Sequence, residues 1–242
     1  MLEFGQFISE KVTLEYHKRL NPRLFKGREL KKDIREKLLR AGEAFRDFNK
    51  IIKKEDVIDI WFTGGNANYN YTSQSDLDVH LVVDKNKLGV SLFVEDYLKD
   101  KKKLFSLSHH ILINGYTVEG YVQHIESSFP HIGQGVYSLN KDTWILEPTF
   151  NSEVGSSFHD KHLKKKVEQY ENLIDDLVEK KLDQGHIEII KSKLKTLRGD
   201  SIAKFGEFAF GNLIFKSLRN TGHLDKLNDY ESELENQNNY GI

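Results

Sequence analysis

Residues 62–84 read FTGGNANYNYTSQSDLDVHLVVD. A stretch of small and polar residues, 66–75, separates two segments of strand character. Upstream, residues 57–62 (VIDIWF) form a short apolar run, rich in β-branched and aromatic side chains, that stops at Gly64-Gly65. That pattern predicts a buried strand followed by a turn. Downstream, Leu77, Val79, Leu81 and Val83 alternate with Asp76, Asp78 and His80, which predicts a strand with one face on a core. Residues i and i+2 of a strand project to the same side about 6.6–7 Å apart. Asp76 and Asp78 are therefore close enough to share a metal cluster, the arrangement two-cation phosphoryl chemistry requires. Alone, Asp-x-Asp is equally an exposed strand edge, and Gly-Gly is equally a plain turn. The conjunction of strand, Gly-Gly, spacer and second strand is much rarer, and it predicts a phosphate-handling site.

Towards the N-terminus, Asn21-Pro22 breaks the chain. Leu30, Ile34, Leu38, Phe45, Phe48 and Ile52 then follow at spacings that predict one long amphipathic helix. Beyond residue 84, a helix is expected over 86–105. Two strand-like runs, 109–113 and 116–123, flank Asn114-Gly115, a strong hairpin signal. A further β-like stretch, 135–146, stops at Pro148. From residue 157 the apolar residues fall at helical spacing. They predict one helix through Leu163, Val167, Tyr170, Ile174 and Leu177, and a second through Ile187, Ile190, Leu194 and Leu197. A third is expected from Ser201 to Leu218, with Gly185, Gly199 and Gly222 as punctuation and Phe205, Phe208, Phe210 and Phe215 in the core. The expected class is α+β: a small mixed sheet flanked by helices over residues 1–150, then a helical bundle over 151–242.

Composition excludes several classes. The chain is 38% hydrophobic and 30% charged, which fits neither a disordered nor a membrane-spanning protein. Cysteine is absent, so disulfides and thiolate metal sites are excluded. The opening MLEFGQFISEKV lacks the basic region and apolar run of a secretion signal, so the expected compartment is the cytoplasm, with no membrane partner. A net charge of −1 provides no general attraction for nucleic acid. The charge is uneven, at +5 over residues 1–50, −4 over 51–150 and −2 over 151–242, so the candidate site lies in the acidic segment.

Residues 62–84 resemble the signature of the DNA polymerase β-like nucleotidyltransferase superfamily, and are similar to predicted nucleotidyltransferases of tailed phages. The likeness extends over about residues 57–125, and the helical remainder lies outside it. The resemblance implies a polymerase β-like core that moves an NMP from an NTP such as ATP to a hydroxyl acceptor, releasing pyrophosphate. It also implies two Mg²⁺ ions, replaceable by Mn²⁺, bound by Asp76, Asp78 and a third carboxylate on a later strand. Glu119, between Val118 and Gly120, fits that third position and would polarise the attacking hydroxyl; Glu126 competes but lies beyond the apolar alternation. Gly64 and Gly65 would cradle the triphosphate. Many relatives place Ser after the first Gly, and Gly65 has no hydroxyl, so Asn66, Thr72 or Ser75 would have to contribute. The acceptor, whether RNA, protein or small molecule, is not specified.

Other polar features have ordinary readings beside functional ones. His80 shares the face of Asp76 and Asp78 and reads as a substrate contact or a structural hydrogen bond. Tyr69 and Tyr71 either stack on a base or pack the loop. His109-His110 and His159-x-x-His162 have metal-like spacing without a third ligand. The basic runs 101–103, 161–166 and 191–198 read as solvated helix faces rather than a phosphate track. Two readings compete with the enzyme: an inactive nucleotide-binding or protein-interaction module on the same fold, and a structural protein assembled through its helices.

Overall fold

The computed structural model describes residues 14–88, 94–127 and 134–240. The chain divides into two compact units, Tyr16–Phe150 and the described part of Asn151–Ile242. Leu14 and Glu15, which the sequence groups with the first half, cluster with the second unit.

The first unit opens with a small hairpin, β1 (Phe25–Lys26) and β2 (Glu29–Leu30), and the helix α1 (Lys32–Asn49). The apolar stripe predicted one helix from Leu30 to Ile52. Leu30 instead belongs to β2 and Ile52 follows the helix end, although both are buried with the stripe. Next come β3 (Val57–Thr63), β4 (Leu77–Val83) and α2 (Val94–Ser108). The helix expected over 86–105 is shifted: residues 85–87 form a single 3₁₀ turn, 89–93 lie outside the described residues, and α2 runs on to Ser108. β5 (Leu112–Ile113) and β6 (Tyr116–His124) form the Asn114-Gly115 hairpin. Both turn residues have positive φ (50° and 87°), as a two-residue hairpin turn demands. The stretch at 135–146 is a second hairpin, β7 (Val136–Ser138) and β8 (Thr143–Leu146).

The strands form a six-stranded mixed sheet in the order β5-β6-β4-β3-β7-β8. Among the described residues, only β4 and β6 pair in parallel. A parallel pair needs a crossover, and α2 lies within it. Leu77, Val79, Leu81 and Val83 are completely buried and join Ile34, Leu38 and Phe45 of α1 in one core. At Gly120 helix and sheet approach closely, because a β-carbon there would lie 2.5 Å from the Phe45 ring. Strand alternation then turns Glu119 and Tyr121 to the face opposite α1, with Asp78 and His80.

The second unit contains α3 (Ser152–Ser157), α4 (Lys161–Glu179), α5 (Gln184–Phe205), α6 (Phe210–Asn220) and α7 (His223–Tyr240). Leu163, Val167, Ile174 and Leu177 of α4 are buried, as are Ile187, Ile190 and Leu194 of α5. The expected third helix does not start at Ser201. That residue lies inside α5, which continues through Gly199 and ends at Gly206 with φ 77°. The Ser201 hydroxyl instead accepts the Gly211 N–H at 3.1 Å, near the start of α6. Phe205 (79% exposed) and Phe210 (45%) lie outside the core, contrary to expectation. Among the described residues, no helix is long and apolar enough to cross a membrane.

Candidate active site

The pairing register builds the site. Thr63, the last residue of β3, is opposite Asp78 of β4, and Asp78 is opposite Glu119 of β6. One row across the three adjacent strands therefore carries the end of the Gly-Gly strand and two of the predicted carboxylates. Asp76 stands two residues before Asp78, just ahead of β4. Glu126 is exposed in the turn after β6, 3.6 Å from His124, so Glu119 is the carboxylate aligned with Asp78.

Gly64 (φ 81°) lies directly against the Asp78 carboxylate, where an added β-carbon would be 1.8 Å from Oδ2. At Gly65 the corresponding space faces the Ser75 hydroxyl, 3.3 Å away. Lack of a side chain at Gly64 thus admits a carboxylate of the same protein. Asp78 retains some surface but lies deep among protein atoms. Burial, then Glu119, then Asp76 push its carboxyl up to about 7, against the pull of the Lys102 ammonium and the Tyr121 hydroxyl. Asp78 therefore feels both of the other carboxylates electrostatically.

Glu119 is held from two sides. The Tyr121 hydroxyl donates to Oε2 at 2.7 Å, and Lys102 Nζ, from α2, is 2.9 Å from the same oxygen. Lys102 Nζ also lies 3.6 Å from the centre of the Tyr121 ring, a cation–π contact. His80 stacks on Tyr121 (centroids 4.7 Å apart) and shares a 2.7 Å hydrogen bond with Gln123. Burial holds the His80 imidazole down at about 4, so it is neutral at physiological pH. Burial, reinforced by the neighbouring Asp78 and Glu119, pushes the Tyr121 phenol up and keeps it a donor.

The other predicted contacts are internal. Asn66 is fully buried; its amide donates to Ser75 O (3.1 Å) and Asp76 O (3.0 Å) and accepts from Asn21 (2.7 Å). It fixes the loop directly before Asp76. Ser75 accepts the Thr72 N–H at 2.9 Å, and both residues are buried. Tyr69 is buried against Tyr16 and Phe150, and Tyr71 stacks on His17 at 3.9 Å, so both rings pack the loop. Most of the polar spacer is thus interior, with Ser73 and Gln74 exposed at its tip. It leaves Asn68 Nδ2 and Asn70 Oδ1 buried without a hydrogen-bond partner in the protein, a costly state unless water or a ligand completes them.

Sequence reading missed Lys102, which was grouped with its neighbours as a solvated run. A signal was present: position 102 is four residues after buried Leu98 and three before buried Phe105, on the inward stripe of α2.

Carboxylate oxygens are the donors that Mg²⁺ and Mn²⁺ prefer, and Mg²⁺ commonly takes one or two carboxylates and completes its shell with water and substrate phosphate. Asp76 and Asp78 fit that demand. A cage of three protein ligands does not form in this arrangement: among the described residues, no group of three or more His, Cys, Asp or Glu side chains is placed to hold a metal. Comparison of the chain with protein-family models, curated proteins and solved structures gave no match.

Proposed function

We propose that this chain is a metal-dependent nucleotidyltransferase on a polymerase β-like core. The observation that carries the proposal is the row Thr63–Asp78–Glu119, with Gly64 beginning directly beside the Asp78 carboxylate. Asp76 and Asp78 would hold the divalent cation, which would supply neutralisation of the phosphate charge. The Gly64-Gly65 turn receives the triphosphate. Tyr121 and Lys102 fix the Glu119 carboxylate, which polarises the acceptor hydroxyl. That hydroxyl oxygen attacks the α-phosphorus, the α–β P–O bond breaks, and pyrophosphate leaves while the hydroxyl proton is accepted at Glu119. Positioning and charge neutralisation provide most of the acceleration.

The test is to incubate each labelled NTP with Mg²⁺ or Mn²⁺ and with RNA, mixed protein, small hydroxyl compounds or the chain alone. Label transfer that disappears in Asp76→Asn and Asp78→Asn supports the reading. Metal-dependent nucleotide binding and transfer that survive both substitutions would overturn it. The hold of Lys102 on Glu119 favours one second reading, a nucleotide-binding module without turnover. Its signature is Mg²⁺-dependent triphosphate binding with no transfer to any acceptor.

A further inference from the structure

Three carboxylates and one ammonium converge at this site, and the ammonium comes from the element that joins the two carboxylate strands. Lys102 lies on α2, within the crossover between β4 and β6. The inward stripe Leu98–Lys102–Phe105 directs it towards the sheet, and only 31% of its side chain is exposed. Its Nζ is held between Glu119 Oε2 at 2.9 Å and the face of Tyr121 at 3.6 Å. A surface lysine is a flexible, well-hydrated point charge. This one is fixed by a carboxylate and an aromatic ring, so its charge has a defined place in the site.

A cation bound at Glu119 Oε2 would meet the Lys102 ammonium, which already lies 2.9 Å from that oxygen. Ionised Asp76, Asp78 and Glu119 carry three negative charges, and Lys102 returns one positive charge. The remainder matches a single divalent cation. A second cation sharing Glu119 has to displace the ammonium or sit within a few ångströms of it, where like charges repel strongly in a partly desolvated site.

We propose that the Lys102 ammonium fills one of the two cation positions of the carboxylate cluster, so that the protein itself takes one divalent ion, on Asp76 and Asp78. This rests on the nucleotidyltransferase reading for the presence of a metal, and adds that one of the two cationic charges is built into α2. Glu119 is then the partner of Lys102 rather than a metal ligand.

The measurement is Mn²⁺ binding to the full chain without nucleotide, by calorimetry and by the paramagnetic resonance signal of free Mn²⁺. One equivalent is expected for the wild type and for Lys102→Arg, and two for Lys102→Met, with melting curves showing that each variant is folded. Glu119→Gln decides the same question with the lysine in place. It should keep its single Mn²⁺, bound about tenfold more weakly because the Lys102 charge is no longer offset. Two equivalents in the wild type, one equivalent of unchanged affinity in Lys102→Met, or complete loss of Mn²⁺ binding in Glu119→Gln would each overturn the proposal. The first of these leaves the nucleotidyltransferase reading standing. No Mn²⁺ binding by any form removes both.

Discussion

The Asp78 carboxylate occupies the space that a side chain would need at Gly64, with Oδ2 placed 1.8 Å from where the β-carbon would stand. Glycine is therefore required there twice, by its φ of 81° and by the carboxylate beside it.

Gly64→Ala should displace Asp78 as well as strain the backbone. The comparison is Gly222→Ala, with nearly the same φ (78°) and no atom within 4 Å. Gly222→Ala should lose about 1–2 kcal/mol from its positive φ, and Gly64→Ala about 1–3 kcal/mol, because φ 81° with ψ −165° is a backbone region essentially confined to glycine. Only Gly64→Ala should also weaken Mn²⁺ binding, by about 10- to 100-fold. Chemical denaturation and Mn²⁺ titration of the two variants separate the terms, and equal Mn²⁺ affinity in both would contradict the contact.

Asp78→Asn should abolish transfer, by at least about 10²-fold, while making the metal-free protein more stable at pH 8. The folded protein raises this carboxyl from 3.8 to about 7, so in that interval the folded state binds the proton more tightly than the unfolded chain does. The stabilising share of Asp78 is thus fully present below 3.8 and is lost as pH rises through about 7. Asn removes that loss. The melting-temperature gap between variant and wild type should be largest at pH 8 and close as pH falls towards 4.

Tyr121→Phe removes the 2.7 Å donor to Glu119 but keeps the ring under Lys102 and beside His80. A hydrogen bond to a charged group contributes about 1.5–3 kcal/mol. The expected result is a lower kcat with KM little changed, and a further fall in Tyr121→Leu, which also removes the ring. If Tyr121→Phe changes only KM, Tyr121 does not orient Glu119.

Gly120→Ala places a methyl group 2.5 Å from the Phe45 ring, between α1 and β6. Overpacking of this kind costs about 1–3 kcal/mol. Urea denaturation should show that loss, and it should shrink in Gly120→Ala combined with Phe45→Leu, which makes room.

Much of the architecture around the site was legible in sequence, for local reasons. The alternation from Leu77 to Val83 and the Asn114-Gly115 turn are encoded by neighbouring residues, and the structure has a strand and a hairpin there. Elsewhere local signals were ambiguous. Ser201 has the chemistry of a helix cap, but α5 continues to Gly206, because the serine is used across the turn by Gly211. Residues 66–75 have loop composition, yet Asn66, Asn68, Asn70, Thr72 and Ser75 are buried; Asn66, Thr72 and Ser75 bond within the loop and to Asn21, a pairing that composition does not reveal. Phe205 and Phe210 fit the apolar pattern and are exposed, since periodicity cannot show which face of a helix meets a neighbour.

By itself the sequence determined the pieces of the candidate site: a strand ending in Gly64-Gly65, a strand bearing Asp78 just after Asp76, and a later strand bearing Glu119. Those features follow from side-chain alternation and turn chemistry, which act over a few residues. Only the tertiary structure decided that Asp78 and Glu119 share a row, that Gly64 makes room for the Asp78 carboxylate, and that Lys102 is held beside Glu119. Register between distant strands and the reach of one lysine from a crossover helix depend on packing across the whole sheet, and no short stretch of sequence contains that information.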